Sequence, residues 1–461
     1  MKMNKLKRLV ACMILAQAPN AYSEDLLTIY QQALEADPES KAASINVEIS
    51  KEQTQEALGQ MLPQISGSAN WSKNIQDTAA TAGRKETTSK YDGTRYYVSL
   101  NQTLFDFAKF WNWRRANTIE EQYSAENIGA QHALMHNVID KYFGVLEAED
   151  QLFFYQTEKK AMEKRLEQTQ HQFSKQLVKI TDVYAVEARL DQLRASEIEA
   201  ETIVVTARES LKELTNTPFS DLYKLKEEVD YKPLEGQLDQ WVEVAKSENP
   251  TLAAQLKAIE AAHDGVTMQK SKFLPEVDLQ LNYYDTNTGY QSSNLGTQYA
   301  TQVGAINVSV PLFDGGVSIH QLFESEHKLE LAKNQNEAKV RALIKETSDS
   351  FLSSNASVRR IAASRKALAS AIKSREATES GFKRGVETIT DILNAQQEEF
   401  KAKRELSQAK YAYIKHRARF MRSVGMITEQ NIEEVNNWLQ PKSLSSIGTT
   451  EKKEEKMKTA I

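Results

Sequence analysis

The sequence predicts a mainly α fold with a small β part, built from one unit written twice in tandem. Three observations carry this. Short stretches recur at a near-constant distance: Asp37-Pro38 returns 212 residues later as Asn249-Pro250, and Leu62-Pro63-Gln64-Ile65 returns as Leu274-Pro275-Glu276-Val277. Beyond them Val98-Ser99 is matched to Val308-Ser309, Leu104-Phe105-Asp106 to Leu312-Phe313-Asp314, and Ile180-Thr181-Asp182 to Ile389-Thr390-Asp391. Proline is absent between Pro63 and Pro218 and again between Pro311 and Pro441, as long helices require. Finally, each unit holds two runs of strict apolar–polar alternation, the period of a strand with one apolar and one polar face. A repeat of about 210 residues is too long for a solenoid, so it marks a duplicated domain.

Residues 1–23 read as a secretory signal. Lys2, Lys5, Lys7 and Arg8 form its basic region, Leu9 to Ala18 its apolar region, and Ala21-Tyr22-Ser23 its cleavage site. Cys12 is the only cysteine, so disulfides and a thiol nucleophile are not expected. Leu9-Val10-Ala11-Cys12 resembles a lipidation box, but its apolar region follows the cysteine instead of preceding it. Removing the signal takes four positive charges from a chain of net charge −5, leaving −9. That acidic balance argues against nucleic acid as a partner.

The first repeat spans 24–230. It opens with a helix ending at Leu62-Pro63, since the residue before a proline is pushed toward extended backbone. A strand at about 64–72 follows, with Ile65, Gly67, Ala69 and Trp71 alternating with Gln64, Ser66, Ser68 and Asn70. A polar loop at about 72–94 leads to a second strand at about 95–105, carrying Tyr96, Val98 and Leu100. A long helix over 106–173 would reach about 100 Å at 1.5 Å per residue. The return helix, 182–215, has a heptad seam at Val183, Val186, Leu190, Leu193, Glu197, Ala200, Val204, Ala207, Leu211 and Leu214.

The second repeat spans 231–440. Strands are expected at about 276–284 and 303–312, a polar loop at about 285–301, a long helix over 314–382 and a return helix over 391–424. The second seam runs Ile392, Ala395, Glu399, Ala402, Leu406, Ala409, Tyr413, His416 and Phe420. Residues 441–461, with Glu451-Lys452-Lys453-Glu454-Glu455-Lys456, read as a disordered tail.

Four such strands match transmembrane barrel segments in length and alternation, and a pair of soluble hairpins is the competing reading. Four strands cannot close a barrel, and an open sheet edge in lipid strands its backbone donors and acceptors. Chains in a membrane must therefore pool their hairpins. Three copies make twelve strands, with the helices forming a polar bundle closed by symmetry. Tyr91, Tyr96, Tyr97, Trp71, Tyr283, Tyr284 and Tyr299 cluster on the strands, as an interfacial aromatic girdle does.

The Leu-Pro-x-Ile/Val strand start, the Leu312-Phe313-Asp314-Gly315-Gly316 strand exit and the duplicated Ile-Thr-Asp turn resemble the TolC family of outer-membrane efflux proteins. The resemblance covers about residues 24–440. It implies a homotrimer with a 12-strand barrel in outer-membrane lipid and a periplasmic α-helical barrel shut by coiled coils. It also implies docking to an inner-membrane RND, ABC or MFS-type transporter through a periplasmic adaptor (membrane fusion) protein. Cargo would be drugs or secreted proteins, moved without enzyme chemistry or cofactors. The alternative of another class is a soluble periplasmic coiled-coil adaptor or scaffold.

The family's gate joins a tyrosine, an arginine and two aspartates of the second repeat to a Thr-Asp pair of the first. By that resemblance the pair is Thr181 and Asp182 here, and the first aspartate is Asp391. Asn394 stands for the second aspartate, Phe382 for the tyrosine and Glu387 for the arginine. Asp391 alone would attract cations at the constriction, with half the family's charge. Phe382 has no hydroxyl to donate and Glu387 no guanidinium fork, so the latch must differ. Arg165 and Glu379 are candidates for a substitute ion pair. Thr181, Asp182, Thr390 and Asp391 also stand where helices start, and such residues cap N-termini. No metal site is expected: His132 and His136 share a helix face without a third ligand, and His320 and His327 lie one heptad apart on a solvated face.

Overall fold

The computed structural model describes residues 24–80, 83, 85–287 and 298–441. The expected signal peptide and residues 442–461 of the expected tail lie outside them. In chain order the elements are α1 (Leu26–Ala36), α2 (Pro38–Gly59), β1 (Gln64–Thr78), β2 (Thr87–Phe105), α3 (Phe107–Ser174) and α4 (Ile180–Thr215). There follow β3 (Lys224–Leu225), α5 (Leu238–Glu248), α6 (Pro250–Ser271), β4 (Glu276–Asn287) and β5 (Gln298–Ser309). The chain ends with α7 (Val317–Lys383), α8 (Ile389–Ser423), α9 (Glu429–Asn436) and β6 (Leu439–Gln440). α3 and α7 run unbroken for 68 and 67 residues.

The chain folds as two compact units, and each draws on both repeats. The strand unit comprises Ala42–Asn127 and Pro250–Val340, and the helical unit the residues up to Lys41, Ile128–Asn249 and those from Arg341 onward.

In the strand unit, β1, β2, β4 and β5 form one antiparallel sheet in that order. β1 and β2 are longer than the sequence suggests, pairing from Gln64↔Asn101 to Thr78↔Thr87. The stretch read as a loop from 72 to 94 is polar, but Thr87, Thr88, Tyr91 and Thr94 favour strands, and Ile75 resumes the apolar face that Lys73 interrupts. β5 instead stops at Ser309, short of the expected 312. Pro311 has no N–H to give a ladder, and Gly315 and Gly316 take φ of 73° and 90° to turn the chain into α7.

Register also corrects the repeat correspondence. Ile65 stands opposite Leu100 in the first hairpin, and Val277 stands opposite Val308 in the second. Val308 therefore answers to Leu100, not Val98, with the same spacing that relates Leu104 to Leu312. The shared Val-Ser dipeptide is a coincidence two residues out of step, which alternation cannot reveal because such a slip keeps every side chain on its face.

In the helical unit α4 lies antiparallel to α3, as the ion pairs Lys141–Glu213 (2.9 Å), Glu149–Arg208 (2.6 Å) and Lys159–Glu197 (2.6 Å) record. Seam residues Val183, Val186, Leu190, Leu193, Ala200, Leu211 and Leu214 are buried. Glu399, in the second seam, is buried too, held by Arg375 at 2.5 Å and Lys403 at 2.6 Å. The main core gathers Leu26, Ile29, Tyr142, Phe143, Leu211 and Tyr413. The chain's ends meet there: Asp25 accepts from Thr28 N–H (2.9 Å) to cap α1 and from Asn436 Nδ2 (3.0 Å), while β3 pairs with β6.

Candidate functional site

The sheet carries the first functional surface. Cross-strand pairing puts Ile65, Trp71, Val98, Leu100, Leu281, Tyr283, Ile306 and Val308 on one face. Most of these large apolar side chains are exposed, and Trp71 meets Tyr96 edge-to-face at 6.0 Å. The opposite face is polar and hydrogen-bonded. Ser99 Oγ and Tyr97 Oη donate to Asn282 Oδ1 at 2.8 and 3.1 Å, and Asn307 Nδ2 donates to Gln280 Oε1 at 3.1 Å. A soluble sheet buries its apolar face and wets its polar one, whereas here no described residues cover the apolar face. That is the arrangement of a wall between hydrocarbon and an aqueous lumen. No described helix is long and apolar enough to cross a membrane.

The second surface is the turn end of the long helices, where both repeats use one device. After α3, Gln176 takes the left-handed region (φ 60°) and Leu177 N–H returns to Gln172 O at 3.0 Å. After α7, Gly385 does the same (φ 78°), and Val386 N–H returns to Gly381 O at 3.0 Å. This closes each helix with a six-residue bond that satisfies otherwise orphaned carbonyls. The next helices have Lys179 and Thr388 at their N-caps, and the predicted aspartates, three residues on, bond back to them. Asp182 Oδ2 accepts from Lys179 N–H at 3.1 Å. Asp391 Oδ2 accepts from Thr388 Oγ1 (2.5 Å) and Thr388 N–H (2.9 Å), and Asp391 N–H donates to Thr388 Oγ1 (3.3 Å). The Thr388 hydroxyl and N–H hold the Asp391 carboxyl below its ordinary range, so it is ionised at neutral pH.

An open groove of about 520 Å³ between α7 and α8 brings Asp391, Asn394 and Glu387 together, with Thr378 and Glu398 beside them. Glu398 was not singled out in the sequence. Glu387 lies back over α7, where a Cβ on Gly381 would fall 2.5 Å from its Cγ. Thr181 is exposed and Asp182 half-buried at the start of α4. Phe382, without a hydroxyl, packs instead on Met162, Val186, Leu190, Leu193, Ile389 and Leu393, an apolar cluster shared by both helical pairs.

Arg165 and Glu379 are not brought together. Glu379 is taken by Arg375 (3.0 Å) and Lys383 (3.6 Å), each one turn away on its own helix. Arg165 Nε is buried without a hydrogen-bond partner among the described residues. The strong link between the helical pairs lies elsewhere. Glu158, 1% exposed, accepts from Arg189 of α4 at 2.7 Å and from Arg404 of α8 at 2.8 Å. Asp150 accepts from Ser407 Oγ (2.9 Å) and Tyr411 Oη (2.8 Å), and Lys415 pairs with Glu147 (2.9 Å). Sequence reasoning missed this ladder, whose only trace is acidic positions 147, 150 and 158 facing 404, 407, 411 and 415 at helical spacing. No group of three or more His, Cys, Asp or Glu that would hold a metal occurs among the described residues.

A sheet with an uncovered apolar face, joined in sequence to very long capped helices, defines an outer-membrane channel protein. The chain belongs to the family described as outer membrane efflux protein, whose profile matches residues 29–217 and 241–426. It is 30% identical over 419 residues to the outer membrane protein TolC of Vibrio cholerae, covering 90% of this chain and 94% of that one. It is 29% identical over 431 residues to the alkaline protease secretion protein AprF of Pseudomonas aeruginosa, covering 92% and 89%. The fold matches the crystal structure of the Campylobacter jejuni CmeC outer membrane channel with a TM-score of 0.76, at 17% identity over 90% of each chain. The protein is an outer-membrane efflux or secretion channel, and the soluble scaffold alternative is set aside.

Proposed function

We propose that three copies of this chain close a 12-strand barrel in outer-membrane lipid and form a periplasmic exit duct. A cleavable signal at 1–23 delivers it. The duct opens when an adaptor protein joins it to an inner-membrane transporter of the RND, ABC or MFS type, and it carries cargo without enzyme chemistry. One observation supports this above the others: a four-strand sheet, apolar on one face, whose outer strands β1 and β5 each lack a second neighbour among the described residues. The test is planar-bilayer conductance of the detergent-purified protein, with mass determined on the same sample. A trimer with a small, stable conductance is expected; a monomer that never inserts overturns the reading.

In this reading Asp391 and Asn394 line the constriction, with Thr181, Asp182 and Glu387 around it. Phe382 replaces a polar latch with apolar contact, and Arg165 and Glu379 contribute charge beside it. Asp391→Ala is expected to weaken block of the pore by polyvalent cations several-fold, as removing one carboxylate per copy from a ring does. Because the Thr388 hydroxyl and N–H hold the carboxyl below the ordinary aspartate range, block in the unsubstituted protein should persist through mildly acid pH and fade only in stronger acid. Block that is unchanged by the substitution removes Asp391 from the constriction.

Leu177 and Val386, on the two tight turns, are apolar and 69% and 78% exposed. We assign them to adaptor contact. Leu177→Asp with Val386→Asp should abolish export in cells while leaving bilayer conductance intact. Export at the unsubstituted level would show that the adaptor binds elsewhere.

A further inference from the structure

The polar face of the sheet carries almost no charge. Every second residue of β1 from Gln64 to Thr78 is Ser, Asn, Gln or Thr. The polar-face positions of β5, from Tyr299 to Ser309, are uncharged as well. β2 adds one charge to this face, Arg95, and β4 adds two, Glu276 and Asp278. A shortage of charged residues is not the cause. Lys73, Asp77, Lys90, Asp92 and Asp285 belong to the same strands, and alternation turns every one of them to the other face.

The three charges on the polar face are sorted by sign along the strands. Asp278 stands opposite Thr103 and Asn307, and Glu276 opposite Ser309, in the rows where the sheet joins the helices. Lys109 reaches Thr103 Oγ1 at 2.7 Å, but its own charge is answered by Asp106 at 3.6 Å, so the β4 carboxylates stand in excess there. Arg95 is exposed and has the uncharged Asn70 and Thr286 as cross-strand neighbours. It lies eight positions from Thr103, toward the hairpin end where Thr78 pairs with Thr87. At about 3.4 Å per residue that is about 27 Å. The Debye length is about 10 Å at 0.1 M salt, so the two charged rows act independently. Between them Ser66, Ser99, Asn101, Gln280 and Asn282 offer only hydroxyls and amides.

We propose that the strand part of the duct is a bipolar sleeve, and that Arg95 is the residue that sets its charge preference toward the hairpin end. The proposal rests on the trimeric duct reading, which makes the polar face the wall of the lumen. Three copies of Arg95 then form one ring of guanidiniums, and three copies of the β4 carboxylates form a second ring of opposite sign. Rings of fixed charge select by sign, and low-dielectric walls focus their field into the water between them. Anionic solutes are concentrated at the Arg95 row and polycations are held off it, while the row nearest the helices does the reverse. The stretch between the rows has groups that both donate and accept hydrogen bonds and none that is charged. Cargo of either sign crosses that stretch with no opposite charge to hold it.

The test reads the local potential with charged thiol reagents, in native outer-membrane vesicles at 0.1 M salt, on the full chain carrying Cys12→Ser. One exposed position is replaced at a time: Asn70→Cys beside Arg95, Asn307→Cys beside Asp278, and Ser66→Cys in the uncharged stretch. Each is treated with a sulfonate-bearing or a trimethylammonium-bearing methanethiosulfonate, and the mass shift of the purified chain gives the rate. A unit charge about 6 Å away changes the local concentration of such a reagent about twofold after screening, and the ratio of the two rates about fourfold. Relative to Ser66→Cys, the anionic-to-cationic ratio should be about fourfold higher at Asn70→Cys and about fourfold lower at Asn307→Cys. Adding Arg95→Gln should return the first ratio to the Ser66→Cys value, and Arg95→Lys should leave it raised, because charge and not shape is being read. Equal ratios at all three positions overturn the bipolar sleeve and leave the duct in place. A raised ratio at Asn70→Cys that survives Arg95→Gln overturns Arg95 as its source. If none of the three reacts with either water-borne reagent, in protein that is trimeric by mass, the polar face lines no aqueous lumen and the duct reading itself falls.

Discussion

Glu158→Ala is expected to loosen the helical unit by about 3 kcal/mol, the scale for removing one partner of a buried ion pair. Glu158 is 1% exposed, and its two arginines are nearly as enclosed, Arg189 at 18% and Arg404 at 14%. The substitution would leave two guanidinium groups facing each other across the space the carboxylate held. Arg189 Nε has no hydrogen-bond partner among the described residues, and the neighbours left to the two guanidiniums, Gln192 at 3.3 Å from Arg189 and the Tyr155 ring under Arg404, carry no negative charge. The three residues come from α3, α4 and α8, so the loss would fall on the join between the two helical pairs more than on either pair alone. Hydrogen exchange over residues 150–200 and 395–415 reads this directly, with protection expected to drop by about two powers of ten for such a loss. The apolar combination Glu158→Leu, Arg189→Met and Arg404→Met should recover most of the protection, because well-packed apolar replacements of buried ionic triads are often neutral or stabilising. If the single change costs nothing, Glu158 is not a structural pin. A rise in resting bilayer conductance alongside the lost protection would make the pin part of the closed gate.

What the sequence shows and hides follows from the range of each interaction. The long helices are legible because proline would break them and none is present, and the seam of α4 because burial at Val183, Val186, Leu190 and Leu193 follows a local period. Strand ends are less legible. Residues 72–78 and 87–94 are polar, and their extension depends on the opposite strand being there to pair. The division into two units that mix the repeats is hidden for a similar reason, since β2 and β4 pair across 172 to 193 residues of chain, as Ser99 and Asn282 do at a separation of 183. At the turn end, Asp182 and Asp391 could be read as caps from their positions alone. The fate of Glu379 was also within reach, because Arg375 lies four residues before it and an i, i+4 partner on the same helix outcompetes a distant one. The Glu158 pin was not, with Arg404 lying 246 residues away.

Gly425→Ala should be the most damaging of the small substitutions in the helical unit, costing roughly 3–5 kcal/mol from backbone overlap added to left-handed strain. Gly425 ends α8 at φ 73°, with Met426 N–H bonded back to Met421 O at 2.9 Å. A Cβ there would run into the carbonyl of Glu248, 2.7 Å from its carbon and 3.0 Å from Asn249 Cα. These are main-chain atoms at the end of α5, so no side-chain rotation relieves the overlap. α8 would have to move away, breaking the bond from Asn249 Nδ2 to Ser423 O (2.9 Å) and opening the cluster where Phe420 meets Trp241 edge-to-face at 5.2 Å. Gly385→Ala separates the two contributions. Gly385 has the same kind of backbone, φ 78°, with nothing among the described residues within 4 Å of where its Cβ would stand. It should therefore show only the conformational cost of about 1–2 kcal/mol. Thermal melting of the helical circular-dichroism signal should then rank Gly425→Ala well below Gly385→Ala, and Gly385→Ala slightly below the unsubstituted protein. Equal losses would mean that α8 yields at Gly425 without strain, and that the contact with the end of α5 does not fix where α8 stops.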